Sequence, residues 1–484
     1  MNKIDKEIIE KLAVRVAELG GRVYLVGGAV RDEVMKRPIK DVDVEVHGIS
    51  ETVLEEVLKE LGKPLRFGSA FGVYSLAGHQ IDIALPRSER KSGAGHRDFE
   101  IEINPFIGIK EAARRRDFTM NALLKDILSG EITDPYGGVE DIRNRIIRHI
   151  DDKTFGEDPL RALRAAQFRS RFGFQVAPST ISICRALDIR ELSAERVEME
   201  MKKALLESRL PSEFFECLRE MGQLGYWFQE LEQLIGLEQN PKFHPEGDVW
   251  THTMMVLDRS AHFKSCVSDP YAFMLLALTH DFGKITATEF VNGAIHAYGH
   301  ELQGAEIAER FLDRVCQGSD IKRYIGNMLP NHMRPNKIAE ARSAVKKTNR
   351  MFDDAIAPID LIYFAICDKP KLLHLDAHSL SMASNEPHES LDNVSRKSEL
   401  YTYEEKLKEQ ERIKFLFERL DLYRDMMSRP YVTGKDLIDS GITPNNDFGT
   451  ILNYAHKLRL AGVPKDNALK QTLSYARKLR KNIK

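Results

Sequence analysis

Two aspartates separated by one residue lie in an apolar, β-branched run, Lys40-Asp-Val-Asp-Val-Glu-Val46. Side chains alternate along a strand, so Asp41 and Asp43 point to the same face. Their mutual repulsion is relieved by a divalent cation, and Mg²⁺ prefers oxygen ligands that it shares with substrate phosphates. The spacing predicts a Mg²⁺ site, although alternating strand aspartates are also common on a solvated face.

A glycine pair, Gly27 and Gly28, lies just upstream between a buried strand and a helix start. Glycines at such a turn let backbone N–H groups approach a phosphate beside a helix N-terminus. Asp82, within the strand pattern of residues 80–85, is a third carboxylate that would complete a metal site. The combination predicts metal-dependent nucleotidyl transfer, with one ion activating a ribose hydroxyl and another holding a triphosphate.

A second set of histidines and aspartates follows in a helical region. Imidazole and carboxylate groups suit a transition metal such as Zn, Ni, Co, Mn or Fe, which activates water for phosphoester hydrolysis. Each histidine taken alone is more often a structural residue. In chain order the set is His252, His280, Asp281, His300, His332 and Asp368.

Periodicity predicts the elements that would position these residues. Around the first set it predicts helices over 4–19, 51–61 and 109–124, strands over 73–76 and 81–85, and a mobile loop over 87–100. From Phe155 onward the pattern is almost wholly helical. The helices predicted there cover about 179–187, 194–207, 212–222, 227–236, 249–400 with a break at 387–400, 401–428, 433–441, 447–460 and 468–484.

The composition indicates a soluble globular protein of two to four domains. The chain has 484 residues, of which 42% are hydrophobic and 30% charged, with a net charge of −2. No signal peptide or membrane-length apolar run is visible, so no membrane partner is expected. Five scattered cysteines without a Cys-x-x-Cys pair favour reduced thiols and a cytoplasmic location. Basic clusters at 114–116, at 161–171 and in the C-terminal tail could form a local nucleic-acid surface.

The motifs between Val23 and about Leu206 resemble the bacterial class II tRNA nucleotidyltransferases, the CCA-adding enzymes, and their poly(A) polymerase relatives. The resemblance implies an α+β fold, in which a DNA polymerase β-like nucleotidyltransferase head with a small mixed sheet precedes an all-α neck, body and tail. The matching motifs are Leu25-Val-Gly-Gly-Ala-Val-Arg-Asp32, Lys40-Asp-Val-Asp43, Asp82-Ile-Ala-Leu-Pro-Arg87, Arg115-Arg-Asp-Phe-Thr-Met-Asn-Ala122, Asp134-Pro-Tyr-Gly-Gly138, Gly156-Glu-Asp-Pro-Leu-Arg-Ala-Leu-Arg164 and Glu195-Arg-Val-Glu-Met-Glu200.

The same resemblance implies a role for each head residue. It implies that Gly28 and Arg31 contact the triphosphate or sugar and that Arg116 contacts the nucleotide. It implies that Asp41 and Asp43 bind Mg²⁺, with Asp82 as a supporting carboxylate. Asp158 and Arg161 are implied to read the base, and Arg164 lies one helical turn further on. A carboxylate accepts from the amino group of cytosine or adenine, and a guanidinium donates to the ring nitrogen. Uracil and guanine present the donor and the acceptor in the reverse order, so a single Asp–Arg pair selects C and A without a template. The i, i+3 spacing of Asp158 and Arg161 also fits an ordinary surface ion pair.

The predicted loop over 87–100 bears on which nucleotides are added. In the resembled family a flexible loop after the third carboxylate is needed to switch from C to A addition, and CC-only relatives are shortened there. The full-length loop favours complete CCA synthesis. A poly(A) polymerase or a single-specificity CC- or A-adding enzyme shares the head and stays open as an alternative.

The ordered second set resembles the HD phosphohydrolase superfamily over about residues 244–370, with further matches at residues 243–253 and 300–305. The resemblance implies phosphatase and 2′,3′-cyclic phosphodiesterase activity, dependent on Ni²⁺, Mn²⁺, Co²⁺ or Zn²⁺ and suited to repairing tRNA 3′ ends. After Asp368 the chain continues Lys-Pro-Lys-Leu-Leu-His374, which departs from the family's usual run. An inactive HD domain that only holds RNA stays open.

These inferences divide the chain into a catalytic head (1–150), a neck and body that recognise the base (151–240), an HD domain (241–386) and a helical tRNA-binding tail (387–484). The leading hypothesis is template-independent addition of CCA to tRNA from CTP and ATP, with attack of the 3′-hydroxyl on the α-phosphate. Two other classes are an RNA-binding protein with an inactive head and a hydrolase with a vestigial head.

Overall fold

The computed structural model describes residues 3–39, 41–67, 72–91, 99–369 and 403–481. Its contacts divide the chain into two compact units, Met1–Trp227 and Phe228–Lys484. The first unit combines a mixed sheet with helices and the second is mainly helical, so the α+β fold class is confirmed. The finer division into four segments stays a prediction.

A seven-stranded mixed sheet forms the centre of the first unit, in the order β3-β4-β5-β2-β1-β8-β9. Strands β2 and β5 run parallel, and the other neighbours are antiparallel. The strands of this unit are β1 (Arg22–Val26), β2 (Val42–His47), β3 (Pro64–Phe67), β4 (Val73–Leu76), β5 (Ile81–Ala84), β6 (Arg87–Lys91), β7 (Phe99–Ile103), β8 (Leu124–Asp126), β9 (Ile132–Thr133), β10 (Ile146–Ile147) and β11 (Gln175–Val176).

Helices cover the sheet and then extend the first unit. Capping follows the sequence, since the Ser50 hydroxyl accepts the Val53 N–H and Gly173 ends a helix with a φ of 67°. The helices are α1 (Lys3–Glu18), α2 (Gly28–Val34), α3 (Glu51–Leu61), α4 (Ile109–Arg114), α5 (Gly138–Arg143), α6 (Asp152–Gly156), α7 (Leu160–Phe172), α8 (Pro178–Ala186), α9 (Ala194–Glu207) and α10 (Ser212–Glu220), with 3-10 turns at Thr119–Asn121 and Ile189–Glu191.

Two predictions for this unit are wrong in part. The helix predicted over 109–124 ends at Arg114, because residues from Leu124 onward pair with β1 as strand β8. Residues 87–91 of the predicted loop form β6, and its residues 99–100 begin β7, which pairs with β6 in an antiparallel hairpin. Residues 92–98, the rest of the predicted mobile loop, lie outside the described residues.

The second unit packs helices around a central helix whose residues from Tyr271 to Thr279 are all buried. Its helices are α11 (Gln229–Glu232), α12 (Val249–Ala261), α13 (Pro270–Thr279), α14 (Lys284–Ala287), α15 (His300–Val315), α16 (Ser319–Met328), α17 (Arg334–Glu340), α18 (Val345–Asp354), α19 (Pro358–Cys367), α20 (Tyr403–Ser428), α21 (Gly434–Asp439), α22 (Phe448–Leu460) and α23 (Lys465–Lys481), with 3-10 turns at Lys264–Cys266 and Leu329–Asn331. Within the described ranges, no helix is long and apolar enough to cross a membrane.

The helical prediction fails at two places in this unit. The helix predicted over 227–236 is reduced to α11. The continuous helical region is interrupted by a hairpin of β12 (Thr288–Val291) and β13 (Ala294–Ala297). Its turn residues, Asn292 and Gly293, have φ values of 52° and 78°, as a two-residue hairpin turn requires. The predicted break at 387–400 lies outside the described residues.

Candidate active sites

Three carboxylates meet where β2 and β5 run side by side. The parallel register places Asp43 opposite Asp82, and Asp41 precedes β2 on the same face as Asp43. Burial raises the pKa of Asp43, the Asp82 and Asp41 charges raise it further, and Arg116 opposes them. A divalent cation would remove this repulsion, so the donor set fits a hard ion with oxygen ligands.

A cavity of 520 Å³ opens beside these carboxylates. Asp82 is the one predicted head residue that does not line it, and it neighbours the cavity through Asp43. Gly27 is needed at the rim, because its φ is 64° and an added Cβ would lie 2.9 Å from Nη1 of Arg116. The lining comprises Gly27, Gly28, Arg31, Asp41, Asp43, Arg116, Asp117, Asn121, Asp158, Leu160, Arg161 and Arg164.

Arg31 is held rigidly on one wall of this cavity. Its Nε donates to Oδ1 of Asp32 and its Nη1 to Oδ1 of Asn121, each at 2.8 Å. Its guanidinium also lies over the rings of Phe168 and Phe172, 5.2 and 4.8 Å from their centroids. These contacts fix a positive charge where an anionic substrate would lie.

Glu45, two residues beyond Asp43 on the same face of β2, was missed by the sequence analysis. Its Oε2 accepts from Nη2 of Arg116 at 3.4 Å, and its Oε1 lies 2.8 Å from Nε2 of His47. Burial disfavours the charged carboxylate, but His47 and Arg116 outweigh burial and lower the pKa of Glu45 to about 2. The buried anion therefore orients Arg116 toward the cavity. The alternation from Asp41 to His47 was the signal for it.

The two predicted base readers face the cavity, but they bind other partners. Nη2 of Arg196 lies 3.0 and 2.9 Å from the carboxylate oxygens of Asp158. Arg161 donates to the main-chain carbonyls of Thr154 and Arg115, at 2.6 Å each. The spacing therefore does not produce a simple ion pair between the two, and each is oriented separately.

Arg164 is anchored by Asp117, a second residue that the sequence analysis missed. Nε of Arg164 donates to Oδ2 of Asp117 at 2.7 Å, and Asn121 Nδ2 donates to Oδ1 at 2.9 Å. Burial opposes ionisation of Asp117, but Arg164 and Asn121 lower its pKa. Because Asn121 also accepts from Arg31, one hydrogen-bond network joins Arg31 to Arg164 across the cavity. Asp117 and Asn121 both lie in the 115–122 motif.

In the second unit, all six predicted metal ligands converge. Asp281 is central, with Oδ2 at 3.2 Å from Nε2 of His280 and Oδ1 at 3.4 Å from Nε2 of His300. Oδ1 of Asp368 lies 3.2 Å from Nε2 of His252. The ligand atom of His332 lies within 4.8 Å of those of Asp281 and His300. Asp368 thus joins the cluster despite the unusual sequence that follows it.

Hydrogen bonds fix the tautomer of three of these histidines. The Nδ1 atoms of His280, His300 and His332 bond to the main-chain carbonyls three residues earlier, at 2.9, 2.8 and 2.6 Å. A carbonyl only accepts, so each Nδ1 carries the proton and each Nε2 presents a lone pair. These buried Nε2 atoms have no hydrogen-bond partner among the described residues. A transition-metal ion would satisfy them, so the residues fit such an ion.

Further groups around the cluster were not predicted. Glu246 accepts from His252 Nδ1 at 2.7 Å and lies 2.9 Å from Nδ1 of His244. Nζ of Lys284 lies 2.7 Å from Oδ2 of Asp281 and donates to Gln239 at 2.8 Å. The cluster borders a cavity of 650 Å³ whose lining includes several of these residues. The unit thus places a candidate metal-binding cluster beside a space large enough for an organic substrate.

Comparison with known proteins identifies the family. Residues 23–148 match the Poly A polymerase head domain. The Multifunctional CCA protein of Actinobacillus pleuropneumoniae serotype 5b is 36% identical over 330 residues, which cover 66% of this chain and 77% of that protein. The chain belongs to the multifunctional CCA protein family. A family member from Pseudoalteromonas atlantica is 42% identical over 310 residues, covering 62% of this chain and 73% of that protein.

Solved structures of CCA-adding enzymes share the fold. The Thermotoga maritima CCA-adding enzyme complexed with tRNA_CCA has a TM-score of 0.63 and 18% identity, over 98% of this chain and 96% of that one. The Bacillus stearothermophilus CCA-adding enzyme in complex with CTP has a TM-score of 0.60 and 20% identity, over the full length of both chains. A nucleotidyltransferase head of this family implies a divalent metal, and the three carboxylates fit one.

Proposed function

We propose that this protein adds C, C and A to tRNA 3′ ends from CTP and ATP, without a template and with release of pyrophosphate. The observation that carries the proposal is a single cavity that holds two of the carboxylates, two fixed arginines and both base readers. The family membership supports the same reaction, since its members are named for CCA.

Seven residues in and beside the cavity have a part in the proposed reaction. Asp41 and Asp43, with Asp82 beside them, would hold Mg²⁺, which supplies charge neutralisation and activation of the attacking hydroxyl when bound. Arg31 and Arg116 attract the triphosphate and hold it in place. Asp158 accepts a hydrogen bond from the amino group of cytosine or adenine. Arg161, whose guanidinium has donors beyond the two used, donates to the ring nitrogen.

The proposal is tested with a tRNA that lacks its CCA end, supplied with Mg²⁺ and CTP, ATP or both. We expect two C additions with CTP alone and a final A when ATP is also present. Asp43→Ala should abolish both. A long A tail would assign the chain to the poly(A) polymerases, and a product ending at CC to the CC-adding enzymes. Absence of any incorporation would leave the head as an RNA-binding module.

For the second unit we infer a metal-dependent HD phosphohydrolase that acts as a phosphatase and 2′,3′-cyclic phosphodiesterase. The observation that supports it is the set of three buried imidazole nitrogens with lone pairs directed at one centre beside Asp281. Ni²⁺, Mn²⁺, Co²⁺ or Zn²⁺, bound by the six converging residues, would supply an activated water. Lys284, which is buried, holds Asp281 ionised.

This activity is tested by measuring phosphate release with each metal in turn. The substrates are a nucleoside 2′,3′-cyclic phosphate and then a nucleoside 3′-phosphate. His280→Ala should abolish hydrolysis and leave CCA addition intact. Hydrolysis that survives in that variant would contradict the assignment, and RNA binding without hydrolysis would favour a structural HD domain.

We also propose that the C-terminal helical segment binds tRNA and that the protein works in the cytoplasm. All five cysteines are free thiols, which suits a reducing compartment. Helix α23 carries Lys470, Arg477 and Lys478, which could contact phosphates. Neutralising these three residues should weaken tRNA binding and reduce its salt dependence.

A further inference from the structure

An exposed aromatic surface borders the metal-binding cavity of the second unit. Tyr298 and His296, at the end of the β12–β13 hairpin, stack with ring centroids 4.9 Å apart and planes within 12°. Tyr298 is 77% exposed and Phe243 is 62% exposed. All three side chains line the same 650 Å³ cavity as Asp281 and His300. Exposed rings that line one cleft together indicate a ligand-binding groove, whereas a single exposed ring does not.

The hairpin links the aromatic pair directly to the metal centre. Gly299, with a φ of 74°, separates the exposed Tyr298 from His300, which is only 8% exposed. The chain therefore turns within two residues from the rim of the cavity to its metal-binding floor. Asn240 donates to the Ile295 carbonyl at 3.4 Å, which joins the hairpin to the segment that carries Phe243.

We propose that Tyr298, stacked on His296 and assisted by Phe243, forms a nucleobase-binding subsite of the second active site. The inference rests on the proposed hydrolase function and names its substrate class as a nucleoside phosphate or an RNA 3′ terminus. The base stacks on the exposed ring while the phosphoester lies toward Asp281 and Lys284. Stacking uses the π-face that every base has, so the subsite accepts all four bases.

The experiment uses the full-length, metal-loaded protein and two substrates, uridine 2′,3′-cyclic phosphate and methyl β-ribofuranoside 2′,3′-cyclic phosphate, which lacks a base. Uridine is chosen because uracil does not complement the base readers of the head. The variants are Tyr298→Ala, Tyr298→Phe and Phe290→Ala. Phe290 is a matched control because it lies on the same hairpin, is 75% exposed and does not line the cavity.

We expect Tyr298→Ala to raise KM for the uridine substrate about ten-fold, the loss of roughly one stacked base, with kcat unchanged. It should leave hydrolysis of the base-free substrate unchanged. Tyr298→Phe and Phe290→Ala should behave like the wild type. Equal effects of Tyr298→Ala on both substrates, or no effect on either, would overturn the subsite.

A binding measurement separates this inference from the hydrolase proposal. Calorimetric titration of uridine 3′-phosphate into EDTA-treated protein requires no catalysis. Affinity that falls about ten-fold in Tyr298→Ala, but not in Phe290→Ala, supports the subsite even if the wild type hydrolyses neither substrate. Equal affinity of the wild type and Tyr298→Ala, or no binding by the wild type, overturns it.

Discussion

Arg196 holds Asp158 through a single nitrogen, Nη2, placed 3.0 and 2.9 Å from the two carboxylate oxygens. The Leu160 N–H also donates to Oδ1 of Asp158, at 3.1 Å. The proposed base-reading carboxylate is thus oriented from two elements, its own turn before α7 and helix α9. Because Arg196 contacts Asp158, we propose that it is a positioning residue, which would act on the base only through that carboxylate.

Replacing Arg196 by Ala should therefore reduce the discrimination between nucleotides more than it reduces the rate of nucleotide addition. With Asp158 free to rotate, we expect misincorporation of UMP and GMP to rise about ten-fold relative to CMP, a loss of roughly one oriented hydrogen bond. Primer extension with each nucleotide alone measures this ratio. Arg190→Ala, which removes an exposed pair with Asp188, is the control. Unchanged selectivity in Arg196→Ala would show that Asp158 is positioned without it.

Asp82 should set the affinity for Mg²⁺ although it does not line the cavity. Changing it to Asn removes one of three neighbouring negative charges while keeping the shape of the side chain. We expect the half-saturating Mg²⁺ concentration to rise about ten-fold, because the remaining pair of carboxylates attracts the ion less strongly. Addition rates measured over a Mg²⁺ series test this, with Glu131→Gln as a control at an exposed carboxylate. A lower rate at an unchanged Mg²⁺ requirement would argue against Asp82 as a supporting ligand.

The buried Glu45 should make the first unit sensitive to acid. The folded pKa of Glu45, about 2, lies below the ordinary value of 4.5. Its stabilisation is complete above about pH 4.5 and is lost as the pH falls toward 2. The loss at pH 3 should be on the order of 2 kcal/mol in the free energy of unfolding.

Urea unfolding of the wild type and Glu45→Gln at several pH values tests this dependence. The variant should be less stable than the wild type at pH 7, because Arg116 and His47 lose a buried anion. The difference between the two proteins should shrink as the pH falls from 4.5 to 3. A difference that stays constant with pH would show that Glu45 does not titrate in this way.

Metal binding should stabilise the second unit against heat. An ion at one hundred times its dissociation constant adds about 2.7 kcal/mol if it binds only the folded state. We expect a higher Tm with Ni²⁺, Mn²⁺, Co²⁺ or Zn²⁺, reversal by EDTA, and no rise in His332→Ala. His456→Ala, which removes a partly exposed contact with Asp353, should keep the response. A metal-induced rise that persists in His332→Ala would exclude that residue as a ligand.

The sequence predicted which residues come together in the carboxylate site of the first unit and in the histidine–aspartate cluster of the second. Alternation along the sequence predicts that Asp41 and Asp43 share one face, and the order of the six predicted HD residues indicated the second cluster. The residues that orient them were harder to find. Arg196 lies 38 positions from Asp158, and its partner is decided by how α7 and α9 pack, which periodicity does not encode.

Local patterns were also overridden or overlooked. The helical periodicity of 109–124 continues past Arg114, but pairing of Leu124 with Val26 turns the chain into a strand. The hairpin that carries Tyr298 was missed because the surrounding sequence reads as helix. Its Asn292-Gly293 pair between two apolar runs was a visible hairpin signal.

The predicted ligands of the second centre are far apart in the chain, since His252 and Asp368 lie 116 positions from each other. An ion that binds both closes a loop through most of the helices of this centre. Because the distant ligands meet only in the folded unit, such an ion would act as a removable clip that stabilises the folded state. Chelation would then do to this unit what reduction does to a disulfide-linked protein. The resistance of the second unit to proteolysis should follow the metal supply of the cell.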